Sequence, residues 1–332
     1  MAESDFEVRP SVMVGDTADV SFHRGITILR NEGINPVVTM EFSPVEGGVF
    51  CGIREVKTLL SKVLPESNRE VWALEEGATV SSGEVALRIT APYVSFGLYE
   101  TALCGTLSHS TGWATASKEC VSAAAGIPVI SAGARYVHPS VAGIMDYASM
   151  VGGCVSCSTT LGAKLTGTTP AGTISPNISL IMGDTVRAMQ AFDKHIPHEV
   201  SRVSPVNVIK DEIEESVSLA KALRQRLRGV ILDESQTQDG IRPNMVKEVR
   251  ARLDLAGYSQ VEIFVRGNLN GQRIREFLDA GAPVSAFEVG RCISAAAPHE
   301  FNADIHEVDG KPIARRGCIP GSTQNLRLVE IM

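Results

Sequence analysis

Three short stretches gather residue types able to hold an anion. "GARYVHP" (133–139) crowds Arg135, Tyr136 and His138 between an apolar run, "IPVIS" (127–131), and a helix-like segment, "SVAGIMDYASMV" (140–151). "RGN" (266–268) follows the run "VEIFV", and "GRC" (290–292) follows "VSAFEV". Glycine lets backbone N–H groups approach a phosphate closely, and a guanidinium adds a two-pronged grip. Arg266, Gly267, Asn268, Gly290 and Arg291 thus read as a phosphate pocket, or equally as rim arginines in ordinary ion pairs. Asp233 closes a third run, "GVILD" (229–233). A carboxylate at a strand end is placed for a polar site role. His138, beside a proline, reads as a hydrogen-bonded core histidine.

Something must bring these run ends together, and the order of elements supplies it. From about residue 127 onward, short β-branched runs alternate with amphipathic helices. The spacing predicts helices over 211–227, 243–257 and 270–281, with strands at 229–233, 261–265 and 284–289. In the first helix Ile213, Val217, Ala220, Leu223 and Leu227 share one face, acids crowd its start and arginines its end. Such a β-α-β-α-β succession implies parallel strands joined by crossover helices. In barrels of this kind the working residues stand where strands end. Before residue 127, a strand is expected at 36–43 and a helix at 52–64. Two strands around a Ser-Ser-Gly turn are expected over 77–90, and one or two close-packed helices over 93–126.

The fold expected is α/β, an irregular, incomplete (β/α) TIM-like barrel with an N-terminal α+β domain. Boundaries are placed at 1–125 for the N-terminal domain and 126–300 for the barrel, with 301–332 returning to the N-terminal domain.

Composition narrows the partners. The net charge of −7 over 332 residues gives no basic field for nucleic acid. No run of about 18 apolar residues suggests a membrane span. The start, "MAESDFEVRP", is acidic and lacks the apolar core of a signal peptide. Seven scattered cysteines fit reduced thiols in a cytoplasm, and Cys154-x-x-Cys157 reads as a buried structural pair of residues.

The chain resembles the nicotinate phosphoribosyltransferase family, of the type II phosphoribosyltransferase fold, over nearly its whole length. The likeness rests on "FGLYETALCG" (96–105), "TGWATASK" (111–118), "GARYVHPSVAGIMD" (133–146), "GGCVSCSTTLGAKL" (152–165), "AGTISPNISLIMGD" (171–184), "VILDES" (230–235) and "FEVGRCIS" (287–294). The resemblance implies an enzyme joining a pyridine carboxylate to phosphoribosyl pyrophosphate through an oxocarbenium-like centre. It implies Mg²⁺ as a possible companion of the pyrophosphate, and a homodimer or larger homo-oligomer with a shared site. Glu100, Asp233 and His138 would be catalytic. Lys118, Arg135, Lys164, Thr173, Gly267 and Gly290 would bind the phosphorylated small-molecule substrate, and Arg266, Asn268 and Arg291, standing where the family has Ser-Gly-Gly and Gly-Thr strand ends, would replace lost contacts there.

The departures fall on working positions. The family's phosphorylatable histidine corresponds to Pro176 in "GTISP" (172–176), so ATP coupling through that residue is not expected. Tyr136 stands where the family has a second arginine, and Ser21 where it has a stacking tyrosine. In "LDESQTQDGI" (232–241), Gln238 and Asp239 stand near two lost cations. No cysteine-rich tail follows, so no structural zinc is implied. The reading is a phosphoribosyl- or sugar-phosphate-handling relative with an altered acceptor. The alternatives are the ordinary nicotinate enzyme of NAD biosynthesis and a non-catalytic nucleotide-binding or scaffolding relative.

Overall fold

A computed structural model describes residues 6–233 and 240–332. The chain divides into two compact units, one of residues 1–115 with 296–332, the other of residues 116–295.

The first unit is built on a six-stranded antiparallel sheet. Its strand order is Lys311–Pro312, Phe301–Val308, Val37–Pro44, Leu87–Pro92, Glu70–Ala73 and Val329–Glu330. The chain's last thirty residues thus return to this sheet. Phe42, Phe50, Leu60, Leu74, Leu87, Ile89 and Leu103 are fully buried around it. The helix Ile53–Val63 supplies Val56, Leu59 and Leu60 from one face, as the 3.6-residue spacing of its apolar side chains requires. The two strands read in 77–90 do not pair with each other. Thr79–Val80 pairs with Gly48–Val49, and Leu87–Pro92 joins the main sheet.

The second unit is a curled parallel half-barrel. Six strands lie in the order Ser156–Cys157, Val129–Ser131, Ala286–Val289, Glu262–Gly267, Leu227–Leu232 and Arg202–Val206, each parallel to its neighbours. The helices Glu212–Leu223, Pro243–Leu255 and Gly271–Asp279 make the crossovers between successive strands. The mixed α/β fold and its TIM-like half-barrel match the expected class. One helix is shorter than its periodicity predicts. It ends at Leu223, Arg224 takes φ 55°, and Leu227 opens the next strand.

The half-barrel explains where its polar residues fall. Along a strand successive side chains alternate faces. Val203, Ile231, Phe264 and Ala286 form one buried apolar layer, with Ile130 packed against it. Moving two residues toward the strand ends keeps the same face and reaches Asp233, Arg266 and Glu288. The face changes from apolar to ionic in a single step.

Beneath the layer, at the opposite end, Arg202 is 5% exposed and pairs with Asp193 at 3.0 Å. Arg226 also contacts Asp193. Placed at the strand starts, this group secures the framework.

Candidate active site

The strand ends meet in an ion triad. Arg266 and Glu288 are directly opposed in the parallel register. Arg266 Nε donates to Glu288 Oε2 at 2.6 Å, its Nη2 contacts the same oxygen, and its Nη1 lies 3.4 Å from Asp233 Oδ2. The side chains of Arg266, Glu288 and Asp233 are 26%, 9% and 37% exposed. Two carboxylates around one guanidinium leave a net charge of −1. Their combined attraction outweighs burial and raises the Arg266 pKa above its usual value. Arg266 is therefore not an unpaired cation awaiting a phosphate; its guanidinium is committed to acids. Glu288 was not among the residues singled out from sequence. The signal was present in "VSAFEV": Ala286 and Glu288 share a face, two residues apart.

Gly267 has φ 131°, a backbone region that glycine alone enters freely, and it turns the chain at the end of Arg266's strand. A cavity of about 330 Å³ opens there, lined by Arg266, Asn268, Leu269, Asn270, Arg273 and Phe277 among others. Arg273 lies 5.5 Å from the Phe277 ring centroid and donates to the Ile241 carbonyl at 2.6 Å. Asn270 caps the following helix by accepting from Arg273 N at 2.8 Å.

A second cluster forms where the strand Val129–Ser131 ends beside the strand Ala286–Val289. A Cβ on Gly290 would lie 3.1 Å from Ala132 O and 3.1 Å from the Tyr136 ring, so the two turns pack closely because Gly290 has none. Arg291 lies 5.7 Å from the Tyr136 ring centroid, an exposed cation over an aromatic face. Arg135, the residue before Tyr136, is also exposed. His138 is an exposed helix cap, not a core residue. Its Nδ1 accepts from Ser140 N at 3.2 Å, at the start of the helix Pro139–Val151.

That helix carries a buried acid that sequence reading also passed over. Asp146, 0% exposed, accepts from Ser131 Oγ at 2.7 Å, Thr159 N at 2.8 Å and Ser158 Oγ at 3.3 Å. It ties two strand ends together and so positions the loops after them. Glu215 fixes the loop after Arg202–Val206 to the start of the helix Thr185–His195, accepting from Thr185 Oγ1 at 2.6 Å and from Val208 N and Ile209 N.

The remaining expected site residues lie on other elements. Thr173 donates its hydroxyl to the Val203 carbonyl. Pro176 occupies the first turn of the helix Pro176–Met182, capped by Ser175, where a missing N–H costs nothing. Lys164 is exposed in the last turn of the helix Thr160–Thr166, and Lys118 is exposed on the helix Glu100–Ala123. Glu100 lies in the first unit. Burial, and to a smaller degree the Asp304 carboxylate, push it up to about 7. Thr101 Oγ1 accepts from Asp19 N at 3.1 Å, and Ser21 donates to Asp19 Oδ1 at 2.6 Å. Gln238 and Asp239 lie outside the described residues. Among the described residues, no group of three or more His, Cys, Asp or Glu is arranged to hold a metal ion. No described helix is long and apolar enough to cross a membrane.

Two family models match the chain. "Quinolinate phosphoribosyl transferase, N-terminal domain" covers residues 19–111, and its C-terminal domain covers residues 113–304. The chain belongs to the quinolinate phosphoribosyl transferase family. It is 37% identical to nicotinate-nucleotide pyrophosphorylase from Pyrococcus furiosus, with a TM-score of 0.86, covering 97% of this chain and 82% of that one. Nicotinate phosphoribosyltransferase pncB2 of Mycobacterium tuberculosis is 31% identical over 224 residues, 67% of this chain and 47% of the relative. Nicotinate-nucleotide pyrophosphorylase [carboxylating] of Mycobacterium leprae is 24% identical over 251 residues, 74% of this chain and 82% of the relative. The chain spans about half the length of the curated relatives it first matches. Matches thus reach both the quinolinate-type family models and nicotinate-type relatives.

Proposed function

We propose that this chain is a phosphoribosyltransferase acting on a phosphoribosyl pyrophosphate-type donor, with an acceptor different from that of its nicotinate-type relatives and without ATP coupling. The observation that carries the reading is the ionic step at the strand ends. Asp233, Arg266 and Glu288 follow directly on the apolar layer, in the half-barrel of a phosphoribosyl transferase family.

Cleavage of a ribosyl–pyrophosphate bond builds positive charge on the sugar carbon and negative charge on the leaving group. A cluster of net charge −1 stabilises the first and repels the second. In this mechanism Asp233, the more open acid, accepts from ribose hydroxyls, and Glu288 holds Arg266 so that Asp233 keeps its orientation. The pyrophosphate then sits away from the triad, toward Arg135, Arg291 and the Gly290 turn, with Lys118 and Lys164 as further cations. Acceptor and donor gain most of their rate from being held in line. Mg²⁺ ordinarily binds through one or two carboxylates plus substrate phosphates. Asp233, the more open acid, would be the residue to hold such an ion, whose charge would offset the triad's repulsion of the donor phosphates. Pro176 has no side chain that could carry a phosphoryl group. The same reading includes a homodimer in the cytoplasm, with Glu100 serving a site shared between subunits and His138 near the leaving group.

The test is pyrophosphate release from phosphoribosyl pyrophosphate and Mg²⁺ with a panel of pyridine mono- and dicarboxylates, with and without ATP. Release with an acid other than nicotinate, unchanged by ATP, is the expected result; release with nicotinate alone would make the chain an ordinary nicotinate enzyme. No release with any of them, beside saturable nucleotide binding, would make the chain a non-catalytic binder. The committed state of Arg266 gives that second reading its one specific support.

A further inference from the structure

The mechanism leaves one reactive pair unused. Cys120, on the helix Glu100–Ala123, and Cys292, in the turn Arg291–Ser294, face each other with sulfurs 3.8 Å apart. Both belong to the second unit. Cys120 is 0% exposed, and Cys292 is partly open to solvent. Such an arrangement is more than two thiols filling core space. The buried sulfhydryl donates to the accessible sulfur, which leaves the accessible one as the better thiolate and the buried one as its reserve. The Cys292 thiol is accordingly lowered to about 7, chiefly by the Cys120 hydrogen bond, while Cys120 is pushed up.

We propose that Cys120 and Cys292 form a reversible redox pair whose closure to a disulfide repositions the Gly290–Ser294 turn at the barrel mouth. The oxidant class is a low-molecular-weight disulfide. The Cys292 thiolate attacks one of its sulfurs, forming a mixed disulfide and expelling one thiolate. Cys120 loses its proton and attacks the Cys292 sulfur, expelling the second thiolate. Two protein thiols lose two electrons and two protons, and the small disulfide becomes two thiols. A disulfide requires about 2.05 Å between sulfurs, so the pair must close by about 1.8 Å. Cys120 sits in a 24-residue helix, whereas Cys292 sits in a four-residue turn, so the turn yields.

Movement of that turn cannot stay local. A Cβ on Gly133 would lie 2.9 Å from Gly290 O and 3.0 Å from Ser294 Cβ, so this turn is packed against the segment that leads into Arg135 and Tyr136. Arg291, one residue before Cys292, sits over the Tyr136 ring. Drawing Cys292 toward Cys120 therefore shifts Arg291 against Tyr136. If the strand ends bind a phosphoribosyl donor, as proposed above, its pyrophosphate contact changes with thiol state. The pair itself does not depend on that reading.

The experiment uses the full chain equilibrated with reduced and oxidised glutathione at graded ratios, then acid-quenched, alkylated and mapped by peptide mass. Amide hydrogen exchange is followed in parallel for residues 132–136 and 290–295. The expected result is one dominant disulfide, Cys120–Cys292, fully reversed by dithiothreitol, with at least a tenfold change in exchange over 290–295. Cys292→Ser should abolish both effects, and this partly exposed position tolerates the change better than buried Cys120. Three results would each overturn the proposal. The cysteines could stay free under ratios that oxidise a small dithiol, the mapped bond could join Cys154 or another cysteine, or the bond could form with exchange over 290–295 unchanged. None of these readouts uses substrate turnover, so their failure is separate from failure of the transferase reading.

Discussion

Arg266 stands between two acids, and replacing any of the three tests how their charges are balanced. Glu288→Gln keeps a hydrogen-bond acceptor but removes one charge, so the guanidinium becomes available to an added anion. Inorganic pyrophosphate should then bind about tenfold more tightly, equivalent to about 1.4 kcal/mol, as read by titration calorimetry. Arg266→Ala does the reverse. It leaves Glu288, only 9% exposed, with its cation gone, at a cost of about 2–3 kcal/mol in urea denaturation. Arg291→Ala removes the exposed cation over Tyr136. Under the proposed function Arg291 grips phosphate by a charge-assisted hydrogen bond, so its loss should weaken pyrophosphate binding by about 1.5–3 kcal/mol. Unchanged affinity in that variant would take Arg291 out of the site.

Strands and turns set how these residues meet, and here the sequence was informative in uneven ways. The alternation of short apolar runs and amphipathic helices was enough for the parallel half-barrel, because each run is buried on both faces and bounded by a helix. Asp233, Arg266 and Gly290 were legible as strand ends for the same reason. Glu288 was not, since one acid inside an apolar run gains its meaning only from the register that places Arg266 opposite it. Asp146 was hidden differently: its partners Ser131 and Thr159 lie 15 and 13 residues away, and no local pattern joins them. Leu227 continued the apolar helical face of Leu223, yet the chain breaks between them at Arg224, and periodicity carries no sign of the break. Gly267 gives the element scale its own test. At φ 131°, Gly267→Ala should cost about 1–3 kcal/mol in urea unfolding, with Arg266 and Asn268 displaced as the turn relaxes.

For the whole molecule, pH is the lever. Glu100 is raised from 4.5 to about 7 by burial and by Asp304, and Glu55 to about 7 chiefly by burial. A raised carboxyl pKa means that the folded state holds its proton more tightly than the unfolded chain does. Stability from these groups is present in full below about 4.5 and is lost as pH rises through about 7. Thermal unfolding should therefore occur at a lower temperature at pH 8 than at pH 5. Glu100→Gln, which cannot ionise, should flatten that dependence and raise the midpoint most at the alkaline end. A variant whose profile parallels the parent would contradict the assignment.

The proposed function depends most on the strand ends of the half-barrel holding a sugar phosphate through the acid they leave open. The direct measurement is calorimetric binding of phosphoribosyl pyrophosphate with Mg²⁺ to the parent chain and to Asp233→Asn, whose folding is checked by its unfolding midpoint. Saturable binding to the parent, weakened at least tenfold in an Asp233→Asn protein of unchanged midpoint, is the predicted outcome. Equal affinity in both proteins, or no binding to either, would contradict it.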